Sequence, residues 1–317
     1  MTSILLVKTS SLGDVVHNLP AVSDIRRHLP DASIDWVVEE SYQAIPRLHP
    51  AVRSVIPVNL RRWRRQWWRS DTRAEMKRSR DALRATRYDF VIDTQGLMKS
   101  ALLARAAQGQ RHGLDWHSAR EPLAWLYDRA YRVPWTMHAV ERNRELTARV
   151  LGYRRSSAVD YGIESRRVDR ASRAGYAVLL HSTSGRAKLW REDHWITVAQ
   201  WLATRGLRAM LPWGSAEERA RSERLASRMT DGAVPQQLTL AEAADLLAGA
   251  TMVVGLDTGL THLAGALGVP TVAVFVATDP SATGLHACAR GVNTGGKDAA
   301  PTAEAVIRAA AGVLDRE

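Results

Sequence analysis

Residues 4–17, ILLVKTSSLGDVVH, decide the fold of the first half of this chain. The apolar run 4–7 has the composition of a buried strand in a parallel sheet. A turn of Thr, Ser and Gly residues follows it, and the apolar periodicity predicts a helix over 14–28. Open α/β sheets bind ligands outside the carboxyl ends of their strands. The stretch therefore predicts a ligand site at the turn that contains Asp14.

The same alternation of strand and helix recurs along the chain and predicts an α/β fold made of two doubly wound domains. A chain of 317 residues also exceeds what one hydrophobic core usually serves. The polar segment 152–175 predicts a linker, so we expect domains at 1–155 and 156–317 and a ligand site in a cleft between them. The tail either completes the second domain or crosses back to the first, and of these we expect the last helix, 302–315, to pack back on the first domain. The predicted strands are 4–7, 34–38, 54–58, 89–93, 176–181, 207–212, 251–256 and 271–276, and the predicted helices are 14–28, 41–48, 72–87, 97–107, 193–205, 215–230, 240–249, 259–267 and 302–315.

Composition excludes several classes of protein. The apolar fraction of 45% and the charged fraction of 24% are those of an ordinary globular protein. The single cysteine, Cys288, cannot form a disulfide within the chain, which suits a reducing compartment. Residues 1–20 lack the pattern of a signal peptide, and no run approaches a membrane span. We expect a soluble intracellular protein.

The positive charge is concentrated in one segment. Residues 61–87 hold eleven Arg or Lys and three acids, so this segment accounts for most of the net charge of +11 of the whole chain. Trp63, Trp67 and Trp68 lie among the first arginines, which suggests an anionic, amphiphilic partner. A solvated basic helix with its tryptophans in the core is the plainer alternative. Nucleic-acid binding is a third, although no groove-reading motif is present.

Asp14 allows two interpretations. The turn has one glycine, not the G-x-G-x-x-G of dinucleotide binders, and a carboxylate there would repel a pyrophosphate. An aspartate before an apolar-periodic run is a preferred helix N-cap. Asp14 is therefore either a helix cap or a catalytic group.

Strand ends in the second half offer phosphate and hydroxyl ligands. Ser182, Thr183, Ser184 and Lys188 follow one predicted strand, Glu217 and Glu218 follow another, and Asp257, Thr258, Gly259 and His262 lie at a third strand-to-helix turn. Hydroxyls, a lysine and free backbone N–H groups suit a diphosphate, and the acids suit a ribose. A nucleotide-type ligand is the resulting prediction. The sequence has no CxxC, HExxH, GxSxG or Walker A motif to support other chemistries.

Eight segments carry a resemblance to a known family. They are KTSSLGDVVHNLPA, WVVEE, LRRWRRQWW, DTQGLMKS, HGLDWHSAREP, HAVERNRE, LPWGSAEE and LDTGLTHLAGALG. From Ile4 to about Pro280 the chain resembles the lipopolysaccharide heptosyltransferase I family of glycosyltransferase family 9. The resemblance implies a GT-B fold, two Rossmann-like domains that face a central cleft. It also implies inverting transfer of L-glycero-D-manno-heptose from ADP-heptose to the Kdo of Kdo-lipid A.

The resemblance also implies roles for residues of this chain. It makes Asp14 the general base. The implied donor-binding residues are Thr183, Ser184, Lys188, Glu218, Leu238, Asp257, Thr258, Gly259 and His262. The implied acceptor-binding residues are Ser11, Arg61, Arg62, Arg64, Arg65, Lys99, Arg120, His138 and Arg142. Two positions depart from the family, because Thr183-Ser184 stands where a Thr pair is usual and Leu238 where Met is usual.

Further expectations follow from the resemblance. No metal and no tightly bound cofactor is implied, since side chains and helix dipoles hold the diphosphate in GT-B transferases. We expect a cytoplasmic monomer, peripheral on the cytoplasmic face of the inner membrane and in contact with its anionic surface, with no nucleic-acid partner. A nucleotide-sugar epimerase of the same architecture is the closest enzyme alternative, but it would have no use for the arginine-rich segment.

Overall fold

The computed structural model describes residues 1–163, 174–183 and 185–315. The chain forms two compact units, Met1–Gly162 and Ile163–Glu317. Each unit is built on one six-stranded sheet whose paired strands are all parallel. The predicted α/β class, with two doubly wound domains, is confirmed.

The first domain has strand order β3-β2-β1-β4-β5-β6. Its strands are β1 (Ser3–Val7), β2 (Ser33–Glu39), β3 (Val52–Val58), β4 (Arg87–Asp93), β5 (Gln108–Leu114) and β6 (Arg129–Tyr131). Its helices are α1 (Leu12–Val16), α2 (Leu19–His28), α3 (Ala44–Leu48), α4 (Leu60–Gln66), α5 (Ser70–Arg84), α6 (Met98–Ala106) and α7 (Ala139–Leu151).

Burial explains the strand composition of the first domain. All seven residues of β2 and four of the five in β1 are buried, as expected for central strands covered on both faces. The predicted helix over 14–28 is two helices, because the chain turns at His17 and Asn18 and Pro20 lies in the first turn of the second helix. Proline lacks the N–H that a continuous helix would need there. The break ends α1 after five residues and leaves Asp14, on this short helix, close to the carboxyl end of β1.

The second domain has strand order β12-β11-β10-β7-β8-β9. Its strands are β7 (Ala174–Leu180), β8 (Arg208–Met210), β9 (Gly232–Ala233), β10 (Ala250–Leu256), β11 (Thr271–Phe275) and β12 (Gly291–Gly295). Its helices are α8 (Glu192–Ala203), α9 (Ala216–Ala226), α10 (Leu240–Gly249), α11 (Gly259–Ala266), α12 (Pro280–Thr283) and α13 (Ala303–Leu314).

Both sheets have the same topology. Counted within each domain, the order is 3-2-1-4-5-6, the order of dinucleotide-binding Rossmann sheets. The order reverses between β1 and β4 in the first domain and between β7 and β10 in the second. Ligands of such sheets bind outside the carboxyl ends of the strands at that switch point. The turns after β1, β4, β7 and β10 are therefore where each domain is expected to bind.

Four strands escaped prediction: β5, β6, β9 and β12. The sequence of β5, QGQRHGL, is polar with two glycines, and its outer half is exposed because it lies near the edge of the sheet. The strands β6 and β9 have three and two residues, and β12, GVNTG, is a polar edge strand. Strands with little buried surface carry no alternating or apolar signal, so periodicity does not reveal them.

The last helix differs from the expectation. Ala303, Val306, Ala310 and Val313 of α13 belong to the core of the second domain, where the helix packs on α8, β11 and β12. Its apolar face is thus used within its own domain, which corrects the expected return to the first. Of the predicted linker 152–175, residues 164–173 lie outside the described residues, and β7 already begins at Ala174.

Candidate active site

The turn after β1 presents Asp14 on the third residue of α1. Ser11 is the N-cap, and Asp14 Oδ2 accepts hydrogen bonds from the Ser11 backbone N–H at 2.9 Å and from Ser11 Oγ at 2.9 Å. The bond from the Ser11 backbone N–H to the carboxylate of the third helical residue is the contribution that this residue makes to a capping box. The interpretation of Asp14 as the N-cap itself is therefore wrong, because Ser11 occupies that position. Both hydrogen bonds use one carboxylate oxygen, and Asp14 is only half-buried.

The turn after β4 holds the turn after β1 in place. Gln95 Oε1 accepts from the Thr9 backbone N–H at 2.6 Å and from Thr9 Oγ1 at 2.7 Å, and its Nε2 donates to the Ser10 carbonyl at 3.0 Å. Lys99 Nζ donates to Ser10 Oγ at 2.5 Å. The predicted acceptor residues Ser11, at the start of α1, and Lys99, in the first turn of α6, thus lie together at the switch point of the first sheet.

A buried lysine lies beneath these turns. Lys8 Nζ donates to the Thr94 carbonyl at 2.8 Å and to Asn143 Oδ1 at 3.2 Å. Burial lowers the pKa of Lys8, while the nearby carboxylates of Asp14 and Asp93 oppose that shift. Burial likewise raises the pKa of Asp93, whose Oδ2 accepts from Tyr127 Oη at 2.8 Å. Two buried titratable groups, Lys8 and Asp93, therefore lie under the turn that carries Asp14.

Two arginines add positive charge to the same region. Arg142 Nη2 donates to the Ser118 carbonyl at 2.6 Å, and its guanidinium lies 3.7 Å from the centre of the Trp135 ring. Burial and the neighbouring Arg120 lower the pKa of Arg142 to about 10. The buried Nε of Arg142 has no hydrogen-bond partner among the described residues. A carboxylate or phosphate would supply the missing acceptor.

His138 begins the helix that carries Arg142. It is the N-cap of α7, where its Nδ1 accepts from the Val140 backbone N–H at 3.2 Å, and its ring meets the edge of the His17 ring at 5.5 Å. Arg120, His138 and Arg142 were predicted as acceptor residues. The positive charges of Arg142 and Arg120 also lower the pKa of Lys8, whereas the carboxylate of Asp14 raises it. The structure therefore brings these predicted residues into one charged region.

The four arginines of α4 differ in their surroundings. Burial raises the pKa of Glu39 at the end of β2, and the positive charges of Lys99 and Arg61 offset part of that rise, so Arg61 faces the strand ends. Arg62 forms an ion pair with Glu75 of α5. Arg64 and Arg65 are exposed, and neither side chain has an ion pair in the part of the chain that the structure describes.

The three tryptophans of this segment also divide. Trp63 is buried in the core of the first domain, whereas Trp67 and Trp68 are 62% and 59% exposed. The alternative in which the tryptophans lie in the core is therefore right for Trp63 and wrong for the other two.

In the second domain, a carboxylate network lies at the end of β10. Asp257 Oδ2 accepts from Lys188 Nζ at 2.7 Å and from Thr278 Oγ1 at 2.8 Å, and Oδ1 lies 3.4 Å from His262 Nε2. Burial raises the pKa of Asp257, but the hydrogen bonds from His262, Lys188 and Thr278 outweigh burial and lower that pKa well below its usual range. Asp257 is therefore a carboxylate at neutral pH that fixes the ammonium of Lys188.

The start of α11 supplies backbone donors beside this network. Thr258 is the N-cap and Gly259 the first helical residue, so their end of the helix has N–H groups without intrahelical acceptors. Thr183 Oγ1 donates to the Asp257 carbonyl at 3.4 Å, which places the turn after β7 against the turn after β10. Ser184, also predicted as a donor ligand, lies outside the described residues. The remaining arrangement matches the chemistry of a diphosphate.

Glu218 and Leu238 lie near a third strand end. Glu218 Oε2 accepts from the Gly214 N–H at 2.7 Å and closes a capping box with Ser215, the N-cap of α9. Gln237 Nε2 donates to the Gly214 carbonyl at 3.3 Å, which joins this turn to the half-buried loop of Leu238. Glu218 occupies in α9 the third helical position that Asp14 occupies in α1.

Two functional candidates were missed by sequence reasoning. Thr278 lies in a polar stretch after β11 that matches no motif, and its contact with Asp257 becomes visible only in the folded sheet. His181 is fully buried at the end of β7, with Nε2 2.8 Å from Ser222 Oγ and Nδ1 3.0 Å from Ser182 Oγ. Burial lowers the pKa of His181 to about 4, so the ring is neutral and holds the Ser182 hydroxyl. The sequence could have indicated His181, because it directly precedes the predicted phosphate ligands.

Two searches of the described residues bear on other kinds of site. In ranges 1–163, 174–183 and 185–315, no three His, Cys, Asp or Glu side chains are grouped so that they could hold a metal ion. None of the helices in those ranges has the length and apolar character that a membrane span requires.

Sequence and structure comparisons with known proteins identify the family to which this chain is similar. The model of glycosyltransferase family 9 (heptosyltransferase) matches residues 76–308. Lipopolysaccharide heptosyltransferase 1 of Pseudomonas aeruginosa is 48% identical over 287 residues, which cover 89% of this chain and 81% of the relative. The Escherichia coli heptosyltransferase WaaC solved with ADP superimposes with a TM-score of 0.92 at 42% identity, over 98% of this chain and 100% of that one. WaaC with ADP-2-deoxy-2-fluoro heptose gives 0.86 at 41% identity, over 97% and 98%.

Proposed function

We propose a mechanism for this chain from the premise that it belongs to glycosyltransferase family 9, the heptosyltransferases. It is an enzyme that transfers heptose in lipopolysaccharide core biosynthesis, with the GT-B fold of two Rossmann-like domains. The epimerase alternative is not favoured, because relatives at nearly half identity over most of the chain are heptosyltransferases. The donor, the acceptor and the residue roles are argued below.

The second domain binds the donor, ADP-heptose. WaaC binds ADP and a fluorinated ADP-heptose, and this chain has the same fold. The network of Asp257, Lys188 and Thr278 supports a diphosphate beside the ammonium, with Thr183 and the start of α11 as further donors. As ADP leaves, negative charge grows on its diphosphate, and groups already fixed in place stabilise that charge best. These groups carry the charge without a metal cofactor. His262 orients Asp257 from its other oxygen.

The adenosine end of ADP extends toward the turn at Gly214. Glu218 accepts the ribose hydroxyls there, and Leu238 packs against the adenine. Both assignments rest on the family resemblance and on the contact that joins the two loops. Glu218 Oε1 is the oxygen not used by the capping box.

The first domain binds the acceptor, and Asp14 is the general base. The observation that carries this role is that both hydrogen bonds of Asp14 use Oδ2. Oδ1 then accepts the proton of the acceptor hydroxyl while Ser11 holds the carboxylate in place. A general base of this kind contributes about 10²–10⁴-fold to a rate.

Transfer proceeds as a single displacement with inversion at the anomeric carbon. The acceptor oxygen forms the new glycosidic bond as its proton passes to Asp14, and the bond from the anomeric carbon to the diphosphate breaks on the opposite face. The electron pair of that bond leaves with ADP. Protonated Asp14 then returns its proton to water.

The acceptor is the Kdo of Kdo-lipid A, an anionic glycolipid. Its carboxylates and phosphates fit the charged region of Lys99, Arg120, His138 and Arg142, in which Arg142 Nε lacks a partner among the described residues. Arg61 extends that region along the strand ends. Arg62, Arg64 and Arg65 lie farther along the exposed helix and meet the anionic surface of the inner membrane, with Trp67 and Trp68 at its boundary. The enzyme works as a monomer on the cytoplasmic face, without a nucleic-acid partner.

The test measures ADP release from ADP-heptose with and without Kdo-lipid A, and the mass of the lipid product. We expect release that depends on the acceptor and a product heavier by one heptose. Release that ignores the acceptor would indicate hydrolysis and contradict the proposal. An excess of duplex DNA should leave the rate unchanged at fixed salt, whereas strong inhibition would favour the nucleic-acid alternative.

A further inference from the structure

A groove of about 480 Å³ lies on the first domain along α5 and the end of α6. Its floor is apolar, formed by Trp63, Met76, Leu83, Leu103 and Ala106. Volumes of this size are typical of sites for small molecules. The residues that line it include none of those proposed above for the donor, the acceptor or catalysis.

One face of α5 supplies a basic rim to this groove. Arg73, Lys77, Arg80 and Arg84 line it and repeat at intervals of three and four residues, so their side chains share one face of the helix. Lys77 pairs with Asp81 at 2.7 Å, and Arg84 Nε donates to the Ala106 carbonyl at 3.3 Å.

The two remaining arginines of the rim are available to a ligand. Arg73 and Arg80 are exposed, and neither has an acidic partner among residues 1–163, 174–183 and 185–315. Two unpaired guanidiniums next to an apolar floor are complementary to an anion that carries a hydrocarbon chain.

The floor holds a second observation that points to a ligand. Trp63 is 8% exposed, and its indole Nε1 is buried without a hydrogen-bond partner in the described structure. Buried polar groups are nearly always satisfied, and a missing partner calls for an explanation. Because protein atoms cover Nε1, an oxygen of a bound headgroup or ester satisfies it only once side chains of the floor move aside. Met76, which is 39% exposed on the same floor, offers a flexible apolar contact to a chain.

We propose that this groove binds one anionic membrane phospholipid, with its acyl chain on the floor and its phosphate between Arg73 and Arg80. The site anchors the first domain to the membrane and is separate from the acceptor site. A lipid is favoured over an acidic peptide because Trp67 and Trp68, two exposed aromatic residues, directly follow the helix that carries Trp63. The proposal rests on the proposed function only in that both place the enzyme at an anionic membrane.

The test is calorimetric titration of the full chain with lysophosphatidylglycerol below its micelle concentration. Lysophosphatidylcholine tests the need for net negative charge, and glycerol 3-phosphate tests the need for the chain. We expect one lipid per protein and at least tenfold weaker binding of either comparison compound. Equal binding of glycerol 3-phosphate, or tighter binding of an acidic amphipathic peptide than of the lipid, would overturn the proposal.

Two sets of variants locate the site. R73Q/R80Q removes both unpaired charges while glutamine preserves helix propensity, and Met76→Glu places a like charge on the floor. Each should weaken lysophosphatidylglycerol binding at least tenfold. R47Q/R154Q removes two exposed arginines of the same domain outside the groove and should bind within twofold of the original chain. Unchanged binding in R73Q/R80Q, or an equal loss in R47Q/R154Q, would show that the groove is not the site.

Transfer to a Kdo acceptor without acyl chains separates this proposal from the catalytic one. R73Q/R80Q should transfer heptose to that acceptor at the original rate. Normal transfer together with unaltered lipid binding in R73Q/R80Q would reject the lipid site alone. Lipid binding that depends on Arg73 and Arg80 in an enzyme that transfers no heptose would support the lipid site and reject the catalytic proposal.

Discussion

Replacing Lys188 with glutamine removes the positive charge that lies 2.7 Å from Asp257 Oδ2 at the proposed diphosphate site. Glutamine keeps most of the side-chain length but cannot pair with a phosphate. Asp257 then keeps its hydrogen bond from Thr278 and its contact with His262. We expect weaker binding of ADP and an unchanged fold.

The size of the loss follows from the contact. Hydrogen bonds to charged groups contribute about 1.5–3 kcal/mol. The Lys188 side chain is 32% exposed, and Asp257 already neutralises part of its charge, so the lower part of that range applies. A loss of about 1.5–2 kcal/mol corresponds to about 10- to 30-fold weaker binding.

The assay is calorimetric titration of ADP into Lys188→Gln and into a matched control. Arg191→Gln removes the same charge three residues away, from a side chain that is 77% exposed and approaches Asp193 rather than Asp257. The control should bind ADP within about twofold of the original chain. The reasoning would be refuted by Lys188→Gln binding ADP as the original chain does, or by an equal loss in Arg191→Gln.

Two further predictions concern the second domain. A Cβ on Gly255 would lie 2.2 Å from Thr261 Oγ1, so Gly255→Ala should lower the free energy of unfolding by about 1–3 kcal/mol. A Cβ on Gly312 would have nothing within 4 Å, so Gly312→Ala should raise the free energy of unfolding by up to about 1 kcal/mol. Denaturant titration measures both values, and equal effects of the two substitutions would contradict the steric argument. The pKa of His181 is about 4 in the folded chain, below its usual value of 6.5, so the unfolded chain takes up the proton first and stability falls as the pH drops from 6.5 toward 4. Between pH 7 and pH 5, His181→Gln should lose about 2 kcal/mol less unfolding free energy than the original chain, and parallel losses would show that His181 titrates normally.

The central strands of both sheets could be predicted because burial on both faces leaves a mark in the sequence. Runs such as ILLV in β1 and TMVVGL in β10 are apolar along their length, and a small-residue turn follows each. The edge strands β6, β9 and β12, and β5 next to an edge, could not be predicted, because strands with little buried surface need no apolar residues. The packing partner of α13 could not be predicted either, because the sequence of an amphipathic helix shows which of its faces is buried but not which sheet buries that face.

The candidate site could be predicted where the functional residue lies within a recognisable motif at the end of a strand. Asp14, Lys188 and Asp257 each lie in a strand-end motif, and the structure places them at the switch points of the two sheets. The contact of Thr278 with Asp257 crosses between two strands and could not be read from either segment alone. Residue preference made an N-cap one of the two possible roles of Asp14, but the actual N-cap, Ser11, comes three residues earlier.

The basic segment shows why composition is a weak guide to partners. Its charge predicted an anionic partner, yet Arg62 is paired with Glu75 and Lys77 with Asp81. Arg64 and Arg65 of α4, like Arg73 and Arg80 of α5, have no acidic partner in the described ranges, so the unpaired charges are divided between the exposed end of α4 and the groove along α5. A charge count over 61–87 could not separate these groups.

The most direct test of the account is the single-turnover rate of heptose transfer by Asp14→Asn with ADP-heptose and Kdo-lipid A. Asparagine can still accept hydrogen bonds from the Ser11 N–H and Oγ through its carbonyl oxygen, so the capping box, the fold and ADP binding should survive. We predict a rate about 10²–10⁴-fold lower, because the amide cannot take the proton of the acceptor hydroxyl. Transfer within about threefold of the original rate would contradict it and leave Asp14 with the capping box as its role.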